Sequence, residues 1–364
     1  MADNPPGLDL EVLLPWFREH VAEVDSITAR VIGHGRSNIT YAISESPESG
    51  SAGSAGRPAR TWVLRRPPLS HVLPTAHDMA REFRVMSALH PTGYPVPEPL
   101  AYCEDPNILD RPFYVMSFID GFVASDLAEF ERRYSEKVCE RVSRDLIETL
   151  VKLHLTEATS VGLADFGKPK GFAERQVSRW VKQLEKSKTR DLPELDELAA
   201  RLARSVPPVT PEGIVHGDYR LDNTVLDNAG KIIGVLDWEM ATLGDPLADL
   251  GMLIMYWSDG SPASKVSAPG ISSIAITALP GFLSREQAIA EYAKLSGFDL
   301  TYLDFYVVLA YFKLAIIIEG IQARFLGGGT VGEGFDQIGA LVGVLANMGI
   351  HIADESGIKS LHGT

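Results

Sequence analysis

Near Ser117–Gly121 the hydrophobic period of the chain changes, and that change limits which folds are open to it. Before this point apolar residues come in short runs broken by turn residues, the spacing of strands. "ITARVIGHGRSNITYAISES" reads as strand, turn, strand, and "TWVLRRP" (Thr61–Pro67) as a third strand closed by Pro67 and Pro68. The Gly/Ser/Pro stretch Ser46–Arg60 between them reads as a hairpin loop. "AYCEDP" and "RPFYVMSFI" predict two further strands, with a hairpin around Asn107–Asp110. Two helices accompany them. Residues 9–22 take Asp9 as N-cap with Pro15 inside, and Thr75–His90 starts on a capping-box-like Thr75 and Asp78. After Gly121 the period becomes helical: Val138, Val142, Leu146, Leu150 and Leu153 share one face, and "FAERQVSRWVKQLEKS" follows. Ser284 and Gln287 form a capping box, Gly297 is the stop, and apolar helical segments run over 301–325 and 335–352. The expected class is α+β. Residues 1–118 form a small antiparallel sheet with one long helix, and residues 119–364 are mostly helical.

Bulk properties exclude several function classes. With 364 residues the chain is too long for one simple core, and 45% hydrophobic with 23% charged residues is an ordinary globular composition. A net charge of −14 argues against binding nucleic acid or an anionic membrane, both of which need basic patches. Cys103 and Cys139 have no ligand-spaced partners, so neither a zinc site nor a disulfide framework is expected. The acidic N-terminus has no signal-peptide pattern, and the expected compartment is the cytoplasm. The most apolar run, Phe305–Ile321, carries Lys313 and Glu319 and falls short of the ~20 residues of a membrane span, so it reads as a buried helix.

Four pieces carry chemistry when taken together. "GHGRSNITY" (Gly33–Tyr41) lies between two strands, and its glycines allow the backbone close to a phosphate. Gly33, Gly35 and Ser37 are its expected nucleotide-contacting positions, while His34 and Arg36 read as solvated turn residues. Arg65 ends the third strand, where a cation can hold phosphates, and Glu82 on the next helix can hold the cation. "IVHGDYRLDNTVLD" places Asp218 and Asn223 at the spacing Asp-x-x-x-x-Asn, and Asp237 ends the following apolar run in "GVLDWE". Asp218 can accept the proton of an attacking hydroxyl, while Asn223 and Asp237 offer the oxygen ligands that Mg²⁺ prefers.

With these motifs the chain resembles the aminoglycoside phosphotransferase family, a protein-kinase-like two-lobe fold, over roughly residues 25–350. "HGDYRLDN" stands where that family has H-G-D-x-x-x-x-N, and "LDWE" where it has its metal-binding aspartate. "VLRRPP", "REFRVMSAL" and "DFGKPKGFAERQVSRW" bring it nearest to the phosphotransferase-like region fused to some acyl-CoA dehydrogenases. The resemblance implies ATP and Mg²⁺, with Asp218 as catalytic aspartate and Asn223 and Asp237 as metal ligands. It also implies Glu82 as the helix glutamate and Met116–Phe118 as the adenine-contacting hinge. His216 and Asp249 would be structural supports of the loop. Arg65 departs from the family's usual lysine, and Arg66 beside it is a rival for the role.

The expected function is therefore a small-molecule kinase that phosphorylates a substrate hydroxyl. The acceptor stays open between an aminoglycoside and a hydroxyacyl-CoA or other lipid-like alcohol, and a non-catalytic nucleotide-binding module is the rival class. Arg220 is a candidate phosphate contact. Glu319 and Arg324 read either as pocket residues or as a buried ion pair. His154 reads as a helix-dipole partner, Trp238 as packing, and Asp165 of "LADFGKP" as a loop residue with no metal, since it precedes Asp218.

Overall fold

The computed structural model describes residues 4–32, 38–46, 59–69, 78–208, 211–258, 272–327 and 338–363. Gly33, Gly35 and Ser37 lie outside them, as do His34, Arg36 and Thr75. The chain forms two compact units, Met1–Phe122 with Ile233–Glu239, and Val123–Ile232 with Met240–Thr364. The stretch around Asp237 thus belongs with the sheet-rich unit, although it comes late in the sequence. Its local ties explain why: Val235 N–H donates to Pro95 C=O at 2.7 Å, and Trp238 packs edge-on against Tyr94.

The first unit contains α1 (Leu10–His20), β1 (Ile27–Ile32), β2 (Ile39–Glu45), β3 (Thr61–Arg66), α2 (Met79–Leu89), β4 (Pro99–Cys103) and β5 (Phe113–Ser117). The five strands pair antiparallel in the order β1-β2-β3-β5-β4. Asp9 caps α1, its carboxylate accepting from the Glu11 and Val12 amides. Leu13, Trp16 and Phe17 of α1 pack on Ile43, Leu64 and Phe113 of the sheet. Side chains alternate across a strand, so β3 sends Trp62 and Leu64 into this core while Val63 and Arg65 point to the opposite face. Asp78 caps α2: its carboxylate accepts the Arg81 amide at 3.0 Å.

The second unit is mainly helical. Beyond β6 (Phe122–Val123) come α3 (Leu127–Arg133), α4 (Glu136–His154), α5 (Phe172–Ser187) and α6 (Pro193–Arg204). Then follow β7 (Gly213–Val215), β8 (Thr224–Leu226) and β10 (Thr242–Gly244), with β7 and β10 antiparallel; β9 (Ile232–Val235), between β8 and β10 in sequence, leads into the Ile233–Glu239 stretch of the first unit. The remainder is α7 (Leu247–Met255), α8 (Ser272–Thr277), α9 (Arg285–Ser296), α10 (Leu303–Leu326) and α11 (Ala340–Glu355). The capping box at Ser284 forms as expected, and Gly297 closes α9 at φ 69°. Among the described residues no helix is long and apolar enough to cross a membrane.

Helix α10 is the spine of this unit, and it packs on α7, α11, α5 and α6. Its approach to α7 is set by Gly251, where a Cβ would lie 2.6 Å from the Tyr306 carbonyl carbon. Alanine there gains about 1 kcal/mol of helix propensity. Against backbone that cannot swing aside, overpacking of about 1–3 kcal/mol outweighs it. Gly251→Ala is expected to lower the midpoint of chemical unfolding with an unchanged m-value.

Candidate active site

Within the first unit one arginine gathers three carboxylates. Arg65 Nε lies 3.1 Å from Glu82 Oε2, and its Nη2 lies 2.5 Å from Asp237 Oδ1 and 3.6 Å from Glu239 Oε2. Glu82 is buried, and it also accepts from Tyr114 Oη at 2.9 Å and from Asn38 Nδ2 at 3.0 Å. Asn38 donates as well to Glu239 Oε2, which links the start of β2 to α2 and to the Asp237 turn. Burial works against the Arg65 charge, yet Tyr114, Glu82 and Asp237 outweigh it and hold its pKa above the usual arginine value. The cost falls on Glu82, whose carboxyl is pushed up by burial against the opposing pull of Arg65.

The two neighbouring arginines are separated by strand geometry. Arg66 points to the α1 face, where it donates to Gly7 C=O and pairs with Asp110. Arg65 points to the α2 face and meets Glu82, so it alone takes the helix-glutamate partner. Asp237 has φ 68°, and among the described residues it is the sole non-glycine with a positive φ. Such a conformation costs on the order of 1–3 kcal/mol and persists only where surroundings enforce it. Met116 is buried inside β5, and Phe118 just beyond the strand is 38% exposed.

Within the second unit the Asp218 loop hangs on one buried carboxylate. Asp249 Oδ2 accepts the His216 amide at 2.6 Å and Oδ1 accepts the Gly217 amide at 2.7 Å. His154 Nε2 meets Asp249 Oδ2 at 3.2 Å, and its Nδ1 meets Tyr292 Oη at 2.7 Å. His154, in the last turn of α4 as its dipole reading requires, thus also belongs to the brace behind the loop. Gly217 has φ 85°, and a Cβ there would lie 2.7 Å from the Met240 carbonyl oxygen. His216 Nδ1 accepts the Asp218 amide at 3.2 Å, and Tyr219 Oη donates to Leu146 C=O at 2.8 Å. These bonds leave the Asp218 side chain as the group the loop presents.

Asn223 Nδ2 donates to the Asp218 carbonyl at 2.8 Å and to Asp218 Oδ2 at 3.0 Å. That spends its donors on the loop, and among the described residues its Oδ1 accepts no hydrogen bond, which suits a cation ligand. Arg220 lies 3.4 Å from Asp218 Oδ2, pairs with Asp222 at 2.7 Å, and stacks 5.0 Å over Tyr256. Asp222 thus acquires a part as the arginine's anchor. Lys313 of α10 reaches the loop as well, donating to Gly217 C=O at 2.9 Å. Burial alone would raise the Asp218 pKa, but Arg220, Lys313 and His216 together with the Asn223 hydrogen bond hold it below the usual aspartate range. At neutral pH the group is a carboxylate able to take a proton.

Other expectations sort by the same geometry. Glu319 is a buried ion-pair member, but its partner is Arg190 at 3.1 Å, with Thr189 donating at 2.6 Å, while Arg324 is exposed. Trp238 is buried, its indole N–H on Val235 C=O. Asp165 sits in a loop between α4 and α5. Lys313, Asn38, Glu239 and Tyr292 were not foreseen. Lys313 had a signal, a charge inside an apolar run, whereas the other three depend on contacts between residues far apart in sequence.

Both groups find a context in comparisons with known proteins. The model of the phosphotransferase enzyme family matches residues 28–268. The chain is 32% identical over 353 residues to acyl-CoA dehydrogenase family member 11 of Gallus gallus, covering 96% of this chain and 43% of that protein. It thus spans less than half the length of the curated relatives it matches. A crystal structure from Ralstonia eutropha JMP134, provisionally described as an aminoglycoside phosphotransferase, aligns with TM-score 0.76 and 29% identity over 95% of this chain and 98% of that one. The streptomycin–ATP ternary complex of APH(2″)-IIa aligns with TM-score 0.54 and 17% identity over 88% and 91%, a likeness of fold. The family match takes in Arg65, Glu82, Asp218, Asn223, Asp237 and Asp249, and with it the chain belongs to the phosphotransferase enzyme family.

Proposed function

We propose that this protein is an ATP-dependent kinase of a small-molecule alcohol, with Asp218 as the group that takes the hydroxyl proton. One observation carries the reading. Asp218 is held as a carboxylate, on a braced loop, with the side chain of Asn223 fixed to it and its amide oxygen left for a cation. A binding-only module has no use for a tuned base beside a prepared ligand.

The donor set fits Mg²⁺. Asn223 Oδ1 and the Asp237 carboxylate are oxygen donors of the kind a hard cation takes, and a strained backbone at Asp237 is a mark of functional sites. Among the described residues no cluster of three or more His, Cys, Asp or Glu side chains could hold a metal without help. Two protein oxygens plus substrate phosphates is the usual way Mg²⁺ is bound in kinases. Bound there, the ion would neutralise charge on the phosphates. The protein's own residues do the rest. Arg65, oriented by Glu82, offers a guanidinium to phosphate oxygens. The resemblance assigns further phosphate contacts to Gly33, Gly35 and Ser37, outside the described residues, and adenine contact to Met116–Phe118, while Asp218 orients the acceptor hydroxyl and removes its proton.

For the acceptor we favour a hydroxylated acyl thioester over an aminoglycoside. At close range, where the net charge of the chain counts for little, Arg220 and Lys313 offset Asp218 and Asp222, so this loop offers a polycation no acidic excess. The relatives named as acyl-CoA dehydrogenases support an acyl acceptor.

Three outcomes test this reading. Asp218→Ala should lower ATP-dependent phosphorylation by about 10²–10⁴-fold with no loss of thermal stability. Asp249→Ala should lose both, because it orphans two buried amides at about 1–3 kcal/mol each. Asn tolerates a positive φ, so Asp237→Asn removes charge without backbone strain and should weaken Mg²⁺-dependent nucleotide binding in calorimetry. An ATP-consumption screen of hydroxyacyl-CoAs against aminoglycosides, with Asp218→Ala as blank, decides the acceptor, and turnover confined to aminoglycosides would reverse our preference.

A further inference from the structure

Helix α10 is apolar over most of its length, and it carries two charged side chains toward the interior of its unit. Their treatment differs. Glu319 has an opposite charge within reach, Arg190 at 3.1 Å, and its Oε1 accepts from both the amide and the hydroxyl of Thr189. Lys313 has no carboxylate within ion-pair distance among the described residues. Its hydrogen bond goes to a neutral acceptor, the Gly217 carbonyl, and its ammonium lies 5.7 Å from the Trp180 ring. Taking an ammonium partly out of water is costly, and a structural lysine recovers that cost through an ion pair. Here two of the three N–H donors are left over, and they sit beside the residue that precedes Asp218.

We propose that Lys313 is a catalytic residue whose ammonium, anchored on Gly217 C=O, donates to an oxygen of the phosphoryl group in transit to the acceptor at Asp218. This rests on the kinase reading above. In the transfer the acceptor oxygen bonds to the γ-phosphorus as the bond from that phosphorus to the β,γ-bridging oxygen breaks. The bonding pair leaves on ADP, and the acceptor proton passes to Asp218. The three remaining phosphoryl oxygens carry negative charge throughout, and a preorganised cation beside them stabilises the transition state without reorganising. Arg220 cannot supply this freely, because Asp218 and Asp222 already engage it. The groups facing Lys313 are Asp218 and Asp249, which support its charge, and Arg179 and Arg220, which oppose it; burial is the largest influence and pulls its pKa below the ordinary lysine value.

The test separates this role from a structural one. Lys313→Met and Lys313→Gln are compared with Lys313→Arg and wild type. For Met, ATP turnover should fall about 10²–10³-fold, the loss typical of one transition-state donor. Thermal stability should hold or rise, since a desolvated charge has been removed. Lys313→Arg should recover part of the turnover. In wild type, turnover should decline as alkaline pH deprotonates the lysine; that limb should vanish in the Met and Gln variants. Binding supplies a readout without turnover. Aluminium fluoride should tighten Mg²⁺-ADP binding to wild type, and Lys313→Met should lose that gain while keeping its affinity for Mg²⁺-ADP alone. A Met variant that keeps the gain, or both neutral variants melting well below wild type, overturns the proposal. Wild type that binds no nucleotide at all overturns the kinase reading and this proposal with it. Nucleotide binding and turnover that ignore Lys313 overturn this proposal alone.

Discussion

The second unit depends on a buried carboxylate that holds two consecutive backbone amides. Asp249 uses both oxygens on His216 and Gly217, and it is held in turn by His154 and Tyr292. Backbone amides in an interior must be paired, and a loop that leaves a strand to do chemistry has no ladder to pair with. A side chain from α7 substitutes for the missing strand. The brace then decides everything downstream: Gly217 turns at positive φ, the Asp218 amide falls on His216, and Asn223 reaches back to Asp218. Asp218 is presented by a loop, but its position comes from the helices α4, α7 and α9 behind it.

Much of this was legible in the sequence, for identifiable reasons. Periodicity marked the strands, and local chemistry marked the caps at Asp9 and Ser284. Spacing marked Asp218 and Asn223 as a pair, and two hydrogen bonds join them. The choice between Arg65 and Arg66 was also present, though unread: Trp62 and Leu64 face the α1 core, so Arg66 shares their face and Arg65 must take the other. Helix α6 carried its own signals, a proline in the first turn and Leu195, Leu198 and Leu202 at helical spacing. What stayed hidden was long-range. Nothing near His154 announces Tyr292 or Asp249, and nothing near Glu319 announces Arg190. Such pairs are products of packing, which a linear pattern does not encode.

Charge illustrates the difference between a total and a field. The chain carries −14 overall, which taken alone would suit a cationic acceptor. Around Asp218 the nearby side chains include Arg220 and Lys313, and they lower its pKa against burial. Beyond about 10 Å ionic screening hides most surface charge from a bound molecule, so the few groups within reach decide what is tolerated. The same holds in the first unit, where Arg65 is a single cation among three acids, and Glu82 and Asp237 help hold its pKa above the usual value against burial.

The twin arginines of β3 have a consequence for how the sheet finds its pairing. A slip of one residue exchanges the two faces of a strand. A slip that put Arg66 in the place of Arg65 beside Glu82 would put Arg65 in the place of Leu64, a guanidinium inside the α1 core, and would take Arg66 from Asp110. Burial and charge therefore enforce one register together: the two arginines meet their own carboxylates only when Trp62 and Leu64 fill the α1 core.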